Sequence, residues 1–179
     1  MVRLRLVRHG ETADHAARRF LGWRDVPLSA EGRLHARALR ERLADGDYAG
    51  VWSSDLRRAV ETARLARGEP RRDPRLRELD FGELEGRRWE ELDARTQAAL
   101  AAFDGFAAPG GETTEAFRAR VVAFFDELAP GDHLVFTHGG VIRLVTRRCT
   151  GEDVYVPPCG IVDVVWGGGT TRTSGPSPR

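Results

Sequence analysis

Short apolar segments alternate along the chain with longer segments in which apolar residues recur every three or four positions. The short segments predict β-strands, and the longer ones predict amphipathic helices. Strands are predicted over residues 2–7, 48–54, 132–140 and 160–166. A further short extended piece is expected within the connection at residues 69–86, which is rich in proline, glycine and charge.

Helical spacing predicts five helices. The first is expected to start at the capping residue Ser29 and to end at Gly46. Its apolar positions, which would face the core, are Leu34, Ala38, Leu39 and Leu43. The other helices are predicted over residues 55–68, 87–103, 113–131 and 141–151.

This alternation of strands and helices indicates one α/β domain with three α/β/α layers, in which helices cover both faces of a mainly parallel sheet. No repeat or long linker divides the chain, so the domain is predicted to span residues 1–166 and to be followed by a flexible tail, residues 167–179. In such sheets ligands bind beyond the carboxyl ends of the strands. The chemistry is therefore expected in the loops that follow the strands.

Composition excludes several classes of partner. Apolar residues make up 41% of the chain and charged residues 31%, and the formal net charge of +1 favours neither nucleic acid nor an anionic membrane. No apolar run approaches the roughly 20 residues of a membrane span, and the first residues do not resemble a signal segment. A cytoplasmic protein that does not bind membranes is expected.

Two residue counts narrow the chemistry further. All 28 residues counted as lysine plus arginine are arginine, which excludes a lysine Schiff base, a P-loop lysine and pyridoxal phosphate attachment. Anion binding must then use arginine, whose planar guanidinium suits phosphate oxygens. Cys149 and Cys159 lack the spacing of a zinc site and are expected to be free thiols. No metal and no cofactor are predicted.

Basic residues stand at three of the predicted strand ends. Arg8 and His9 follow the first strand, Arg57 and Arg58 begin the helix after the second, and His138 lies at the end of a later one. The helix N-termini at this edge add unpaired N–H groups and a positive dipole end. The grouping suits a phosphoryl group, while histidines on a solvated rim are the alternative interpretation.

Six ordered segments between residue 4 and about residue 145 carry a family resemblance: LVRHGET, RRFLGWRDVPLSAEG, SSDLRRAVETA, LRELDFGELEG, PGGET and FTHGGVIR. Together they resemble the histidine phosphatase superfamily, also called the phosphoglycerate-mutase-like family. A lone R-H-G would be a weak signature, but six segments in the family's order are specific. The compact length and PGGET are similar to the branch that contains α-ribazole-5′-phosphate phosphatases and broad-specificity phosphatases.

The resemblance implies a role for each basic residue at the strand ends. His9 would be the nucleophile and form a phosphohistidine, which agrees with an imidazole that titrates near neutrality. Arg8 and Arg58 match the phosphate-binding arginines, and His138 matches the second pocket histidine. Neighbouring helix residues point about 100° apart, so Arg57 and Arg58 cannot both face the site, and the family spacing favours Arg58.

The remaining site residues are implied less directly. Glu78 is the predicted general acid and base, and Glu83 is the alternative. Substrate contacts are implied at Gly10, Thr12, His15, Gly22 and Gly139. Thr12 is equally a capping residue type, and His15 stands where the family often has asparagine, so the contact at position 15 is left open.

The same chemistry supports hydrolysis or transfer within a mutase. Residues 87–112 contain only Arg87, Arg88 and Arg95 as basic residues, which offers little to hold a second anionic group. This favours a phosphatase acting on a small phosphorylated substrate, with α-ribazole 5′-phosphate as one candidate. A cofactor-dependent phosphoglycerate mutase and a non-catalytic phospholigand-binding domain are the alternatives. Whether the protein is a monomer or a homodimer is left open.

Overall fold

The computed structural model describes residues 1–167, and within them five strands form a single sheet. The strands are β1 (Val2–Arg8), β2 (Gly50–Ser53), β3 (Arg71–Arg72), β4 (Gly131–Thr137) and β5 (Ile161–Trp166). Their order across the sheet is β3-β2-β4-β1-β5, and only β5 runs antiparallel to its neighbour. The predicted mainly parallel α/β fold is confirmed, and the short extended piece expected within residues 69–86 is β3. The flexible tail predicted over residues 167–179 falls, apart from Gly167, outside the described residues.

Helices cover both faces of this sheet. They are α1 (Ala13–Ala16), α2 (Ala30–Leu43), α3 (Arg57–Ala66), α4 (Ala94–Ala102), α5 (Thr114–Asp126) and α6 (Gly139–Thr150). Successive strand residues point to opposite faces. In β4, Val135 therefore packs into the core built from α5 and α6, whereas Leu134 and Phe136 pack into the core built from α2 and α3. None of the helices described is long and apolar enough to cross a membrane.

The core-facing side of α2 differs from the prediction. Leu39 and Leu43 are buried as expected, but Leu34 is 58% exposed, and Ala38 is exposed as well. The buried stripe instead begins with Gly32 and Ala36, which precede Leu39 and Leu43 at helical spacing. The prediction counted apolar residues and overlooked small ones, which allow α2 to approach its neighbours closely.

The predicted helix over residues 87–103 is also shorter than expected. Trp89–Glu91 form a single 3-10 turn, and Leu92 is extended. The α-helix starts only after Asp93, whose carboxylate accepts a hydrogen bond from the backbone N–H of Thr96 at 2.9 Å. Aspartate is more favourable at an N-cap than inside a helix, so Asp93 separates the 3-10 turn from α4.

The two cysteines are free, as predicted, and both thiols are buried. Burial raises the pKa of Cys159 to about 11, so this thiol is protonated at neutral pH.

The register of the central strands brings their carboxyl ends together. Arg8, the last residue of β1, pairs with Thr137, the last residue of β4, and Ser53 at the end of β2 pairs with Phe136. The residues that follow these strands therefore emerge side by side at one edge of the sheet.

The two faces of α2 can be distinguished by their effect on stability. Leu43→Ala removes a fully buried side chain, so we expect the free energy of unfolding to fall by about 2–5 kcal/mol. Leu34→Ala, on the exposed face, should change it by less than about 0.5 kcal/mol. Urea unfolding of both variants measures the difference, and equal losses would contradict this orientation of α2.

Candidate active site

His9 directly follows β1 and is held by its neighbours through both backbone and ring. Its backbone N–H donates to the carbonyl of Thr137 at 2.9 Å, and the residue as a whole is 4% exposed. Nδ1 lies 2.7 Å from the carbonyl oxygen of Gly10. A carbonyl can only accept, so Nδ1 carries the proton and Nε2 of this neutral ring keeps its lone pair. The ring lines a pocket of about 570 Å³.

Arg58 reaches this pocket from the first turn of α3. Its side chain is fully buried, and its guanidinium donates to the carbonyls of Arg24 at 2.8 Å and Gly22 at 2.7 Å. Arg57, one residue earlier on the helix, is exposed and does not line the pocket. The structure thus brings Arg58, and not Arg57, next to His9.

The basic end of the pocket is completed by Arg8, which lines it, and by His138, which is not among the lining residues but lies beside His9. Arg8 donates to the carbonyl of Val156 at 2.8 Å, and its guanidinium lies 5.5 Å from the ring centre of Tyr155. His138, the N-cap residue of α6, is fully buried, and its ring centre lies 5.1 Å from that of His9.

Several nitrogens at this end are buried without a hydrogen-bond partner among residues 1–167. They are Nε of Arg8, Nε of Arg58 and both ring nitrogens of His138. An unsatisfied buried polar group typically costs about 1–3 kcal/mol, so a cluster of them indicates that a ligand completes the hydrogen bonding. Their charges and N–H groups suit an anion.

Burial and the neighbouring arginines set the protonation states. Burial lowers the pKa of His9 well below its usual value, and the charges of Arg58 and Arg8 lower it further. The pKa of His138 is also well below its usual value, chiefly through burial and then through Arg58. Burial lowers the pKa of Arg58 to about 10. At neutral pH the site therefore combines two neutral imidazoles with a charged guanidinium.

Glu78 is the carboxylate that reaches the pocket from the LRELDFGELEG segment. Its Oε2 accepts from the backbone N–H of Gly140, at the start of α6, and its Oε1 accepts from that of Leu79, each at 2.9 Å. A Cβ at position 140 would overlap Oε1, so only glycine allows this approach. Glu83 is exposed and lies outside the pocket lining.

The predicted substrate contacts divide into two groups. Gly22, Gly139 and His15 line the pocket, and Nδ1 of His15 is buried without a partner in the described part of the chain. Gly10 acts on the His9 ring through its carbonyl. Thr12 lies outside the lining and caps α1, accepting from the backbone N–H of His15 at 3.1 Å.

The wall of the pocket above the basic end was not predicted. It comprises Arg19, Phe20, Leu21, Phe81, Arg143, Asp153, Val154, Tyr155 and Val156. Arg143 follows Gly139 by one helical turn, which is a signal that the sequence offered. The residues at 153–156 lie in a loop without periodicity, so nothing in the sequence indicated them.

The part of the chain that the structure describes contains no group of three or more histidine, cysteine or acidic side chains placed to hold a metal ion.

The chain is similar in sequence to proteins that are named for several different activities. The family model of the histidine phosphatase superfamily (branch 1) matches residues 4–172. The probable phosphoglycerate mutase GpmB of Proteus mirabilis (strain HI4320) is 36% identical over 87% of this chain and 78% of its own. A metal-independent phosphoserine phosphatase of Arabidopsis thaliana is 34% identical over 81% of this chain and 67% of its own.

Solved structures of similar proteins have the same fold as this chain. TTHB049 of Thermus thermophilus superimposes with a TM-score of 0.87 at 48% identity, covering 93% of this chain and 95% of its own. A proposed alpha-ribazole-5′-P phosphatase from Escherichia coli K-12 gives a TM-score of 0.79 at 29% identity, covering 90% and 89% of the two chains. With the family model matched over nearly its whole length, this chain belongs to the histidine phosphatase superfamily.

Proposed function

We propose that the protein is a phosphomonoesterase that forms a phosphohistidine on His9 and needs no metal ion. The observation that carries this proposal is the state of the His9 ring. Its Nδ1 is held by the Gly10 carbonyl, and its pKa is lowered, so Nε2 is an unprotonated nucleophile in a pocket lined by Arg8 and Arg58.

In the first step, Nε2 of His9 attacks the phosphorus atom of the ester. The N–P bond forms as the bond between phosphorus and the alcohol oxygen breaks, and Glu78 gives its proton to that oxygen. Arg8, Arg58 and His138 bind the remaining phosphoryl oxygens, whose charge is spread over them in the transition state.

In the second step, a water molecule attacks the phosphohistidine. Glu78, now a carboxylate, takes a proton from this water as the N–P bond breaks, and inorganic phosphate leaves. The His9 ring is neutral again, and the proton taken from the water is carried by Glu78 to the next leaving group.

Hydrolysis fits the pocket wall better than transfer between two positions of an acidic metabolite. The guanidinium of Arg143 donates to both carboxylate oxygens of Asp153 and to the carbonyl of Ala101, so its charge and donors are occupied. Phe20 and Phe81, whose ring centres lie 4.9 Å apart, form an apolar part of the same wall. Such a wall suits an uncharged, ring-bearing alcohol, and α-ribazole 5′-phosphate is the candidate substrate of this kind.

A phosphoglycerate mutase is the second candidate function. Relatives such as the Proteus mirabilis protein carry that name. In addition, Arg19 lines the pocket and has no carboxylate partner within residues 1–167, so it could bind the carboxylate of a phosphoglycerate.

A phosphate-release screen in EDTA tests the proposed function. We expect release from α-ribazole 5′-phosphate and benzyl phosphate to exceed release from 3-phosphoglycerate. His9→Ala should lower the rate at least about 1,000-fold, because it removes the nucleophile. Acid-labile label on the wild-type protein after brief incubation with a ³²P-ester would detect the phosphohistidine. Loss of activity in EDTA, or conversion of 3-phosphoglycerate to its 2-isomer without phosphate release, would contradict the proposal.

The proton donor can be identified with a matched pair of variants. Glu78→Gln should lower kcat by about 100-fold or more, the typical contribution of general acid catalysis. Glu83→Gln changes an exposed carboxylate outside the pocket and should leave kcat within about twofold. The reverse pattern would assign the acid to Glu83.

The neutral state of the two histidines predicts a pH dependence of stability. The pKa values of both histidines are lower in the folded protein than in the unfolded chain. At a pH between these two values the unfolded chain binds more protons, so the free energy of unfolding falls as pH falls below about 6.5. At pH 5.5 each histidine should reduce the free energy of unfolding by on the order of 1 kcal/mol relative to pH 7.5. Urea unfolding of wild type and His138→Gln at both pH values measures this. An equal decrease in both would show that His138 is not buried in its neutral form.

A further inference from the structure

The turn at residues 22–24, whose Gly22 lines the pocket, contacts both the Arg58 guanidinium and the backbone of Glu78. Its carbonyls at Gly22 and Arg24 accept the two hydrogen bonds of the buried Arg58 guanidinium. Neither bond involves a counter-ion, so the position of the Arg58 charge depends on where this turn holds its carbonyls.

Glu85 holds the turn in place. Its Oε1 accepts from the backbone N–H of Trp23 at 2.6 Å, and its Oε2 accepts from that of Arg24 at 3.0 Å. Gly22 has a φ of 50°, and a Cβ there would overlap the Glu85 carboxylate, so the turn and the carboxylate fit closely. Glu85 is half-buried and does not line the pocket.

The side chain of Trp23 extends the same arrangement to the proton donor. Its Nε1–H donates to the backbone carbonyl of Glu78 at 2.9 Å, and its ring lies 4.7 Å from the guanidinium of Arg77. Arg120, on α5, donates to the same Glu78 carbonyl at 2.7 Å. The backbone that presents the Glu78 carboxylate is therefore held by the turn on one side and by α5 on the other.

We propose that Glu85 is a positioning residue that sets Arg58 for phosphate binding through the carbonyls of residues 22–24, and that Trp23 couples the same turn to Glu78. The proposal rests on the proposed function for its kinetic consequences. Its structural part concerns anion binding by Arg58 and does not require turnover.

Glu85→Gln tests the first part, because the amide keeps the shape but can accept from only one of the two backbone N–H groups. We expect inorganic phosphate to bind about tenfold more weakly and KM to rise by a similar factor, as for one weakened charge-assisted hydrogen bond. Trp23→Phe, which removes the indole N–H and keeps an aromatic ring, should lower kcat severalfold and leave phosphate binding unchanged. Glu90→Gln, an exposed glutamate nearby, is the matched control.

Phosphate binding is measured by calorimetry alongside kinetics and urea unfolding. Weaker phosphate binding in Glu85→Gln, under conditions where the protein is fully folded, supports the proposal. If the wild type releases phosphate from none of the esters tested, that result overturns the proposed function but not the positioning role. Phosphate binding in folded Glu85→Gln equal to that of wild type and Glu90→Gln would overturn the positioning role. A decrease in kcat without any change in phosphate affinity or KM would also overturn it.

Discussion

The pairing of β1 with β4 is the constraint on which the site depends. Arg8 and Thr137 are the last residues of two parallel strands and lie opposite each other, although they are 129 positions apart in the chain. The backbone N–H of His9 then continues the pairing by donating to Thr137. Because both strands are central in the sheet and covered on both faces, their ends have little freedom. The rings of His9 and His138 are thereby held 5.1 Å apart, although no hydrogen bond joins them.

The site gives up stability for this arrangement. Within residues 1–167 the buried Arg58 guanidinium forms its hydrogen bonds with carbonyls, and both ring nitrogens of His138 lack partners. Both features cost free energy in the folded protein. In exchange, dipoles and charges already point to where an anion would sit, so little reorganisation is needed as charge develops on it. The same burial lowers the pKa of His9, the proposed nucleophile, so one physical cause would serve both binding and reactivity.

The sequence predicted best those features that are formed by residues close together along the chain. His9, Arg58 and His138 each lie within a few residues of a strand end, so strand-end reasoning located them. The 100° rotation per helix residue showed only that Arg57 and Arg58 could not both face the site, and the family spacing favoured Arg58. The buried face of α2 was partly wrong because Gly32 and Ala36 carry little hydrophobic signal. The role of Asp93 as a cap was missed within an otherwise helical pattern. Of the turn at 22–24 only Gly22 was predicted at the site, and the loop at 153–156 was not predicted there. Their contacts join distant parts of the chain, largely through backbone groups, which no residue pattern reveals.

The pocket has two parts that are built differently. Its basic end stands on strand ends and helix starts, where even a Cβ at Gly140 would displace Glu78. Its wall includes a loop, residues 153–156, that is not part of any helix or strand. Loops tolerate substitution far better than packed elements do. During divergence, therefore, changes in the loop can alter which substrate is accepted while the basic end stays the same. A single scaffold can then give rise to relatives with different substrates.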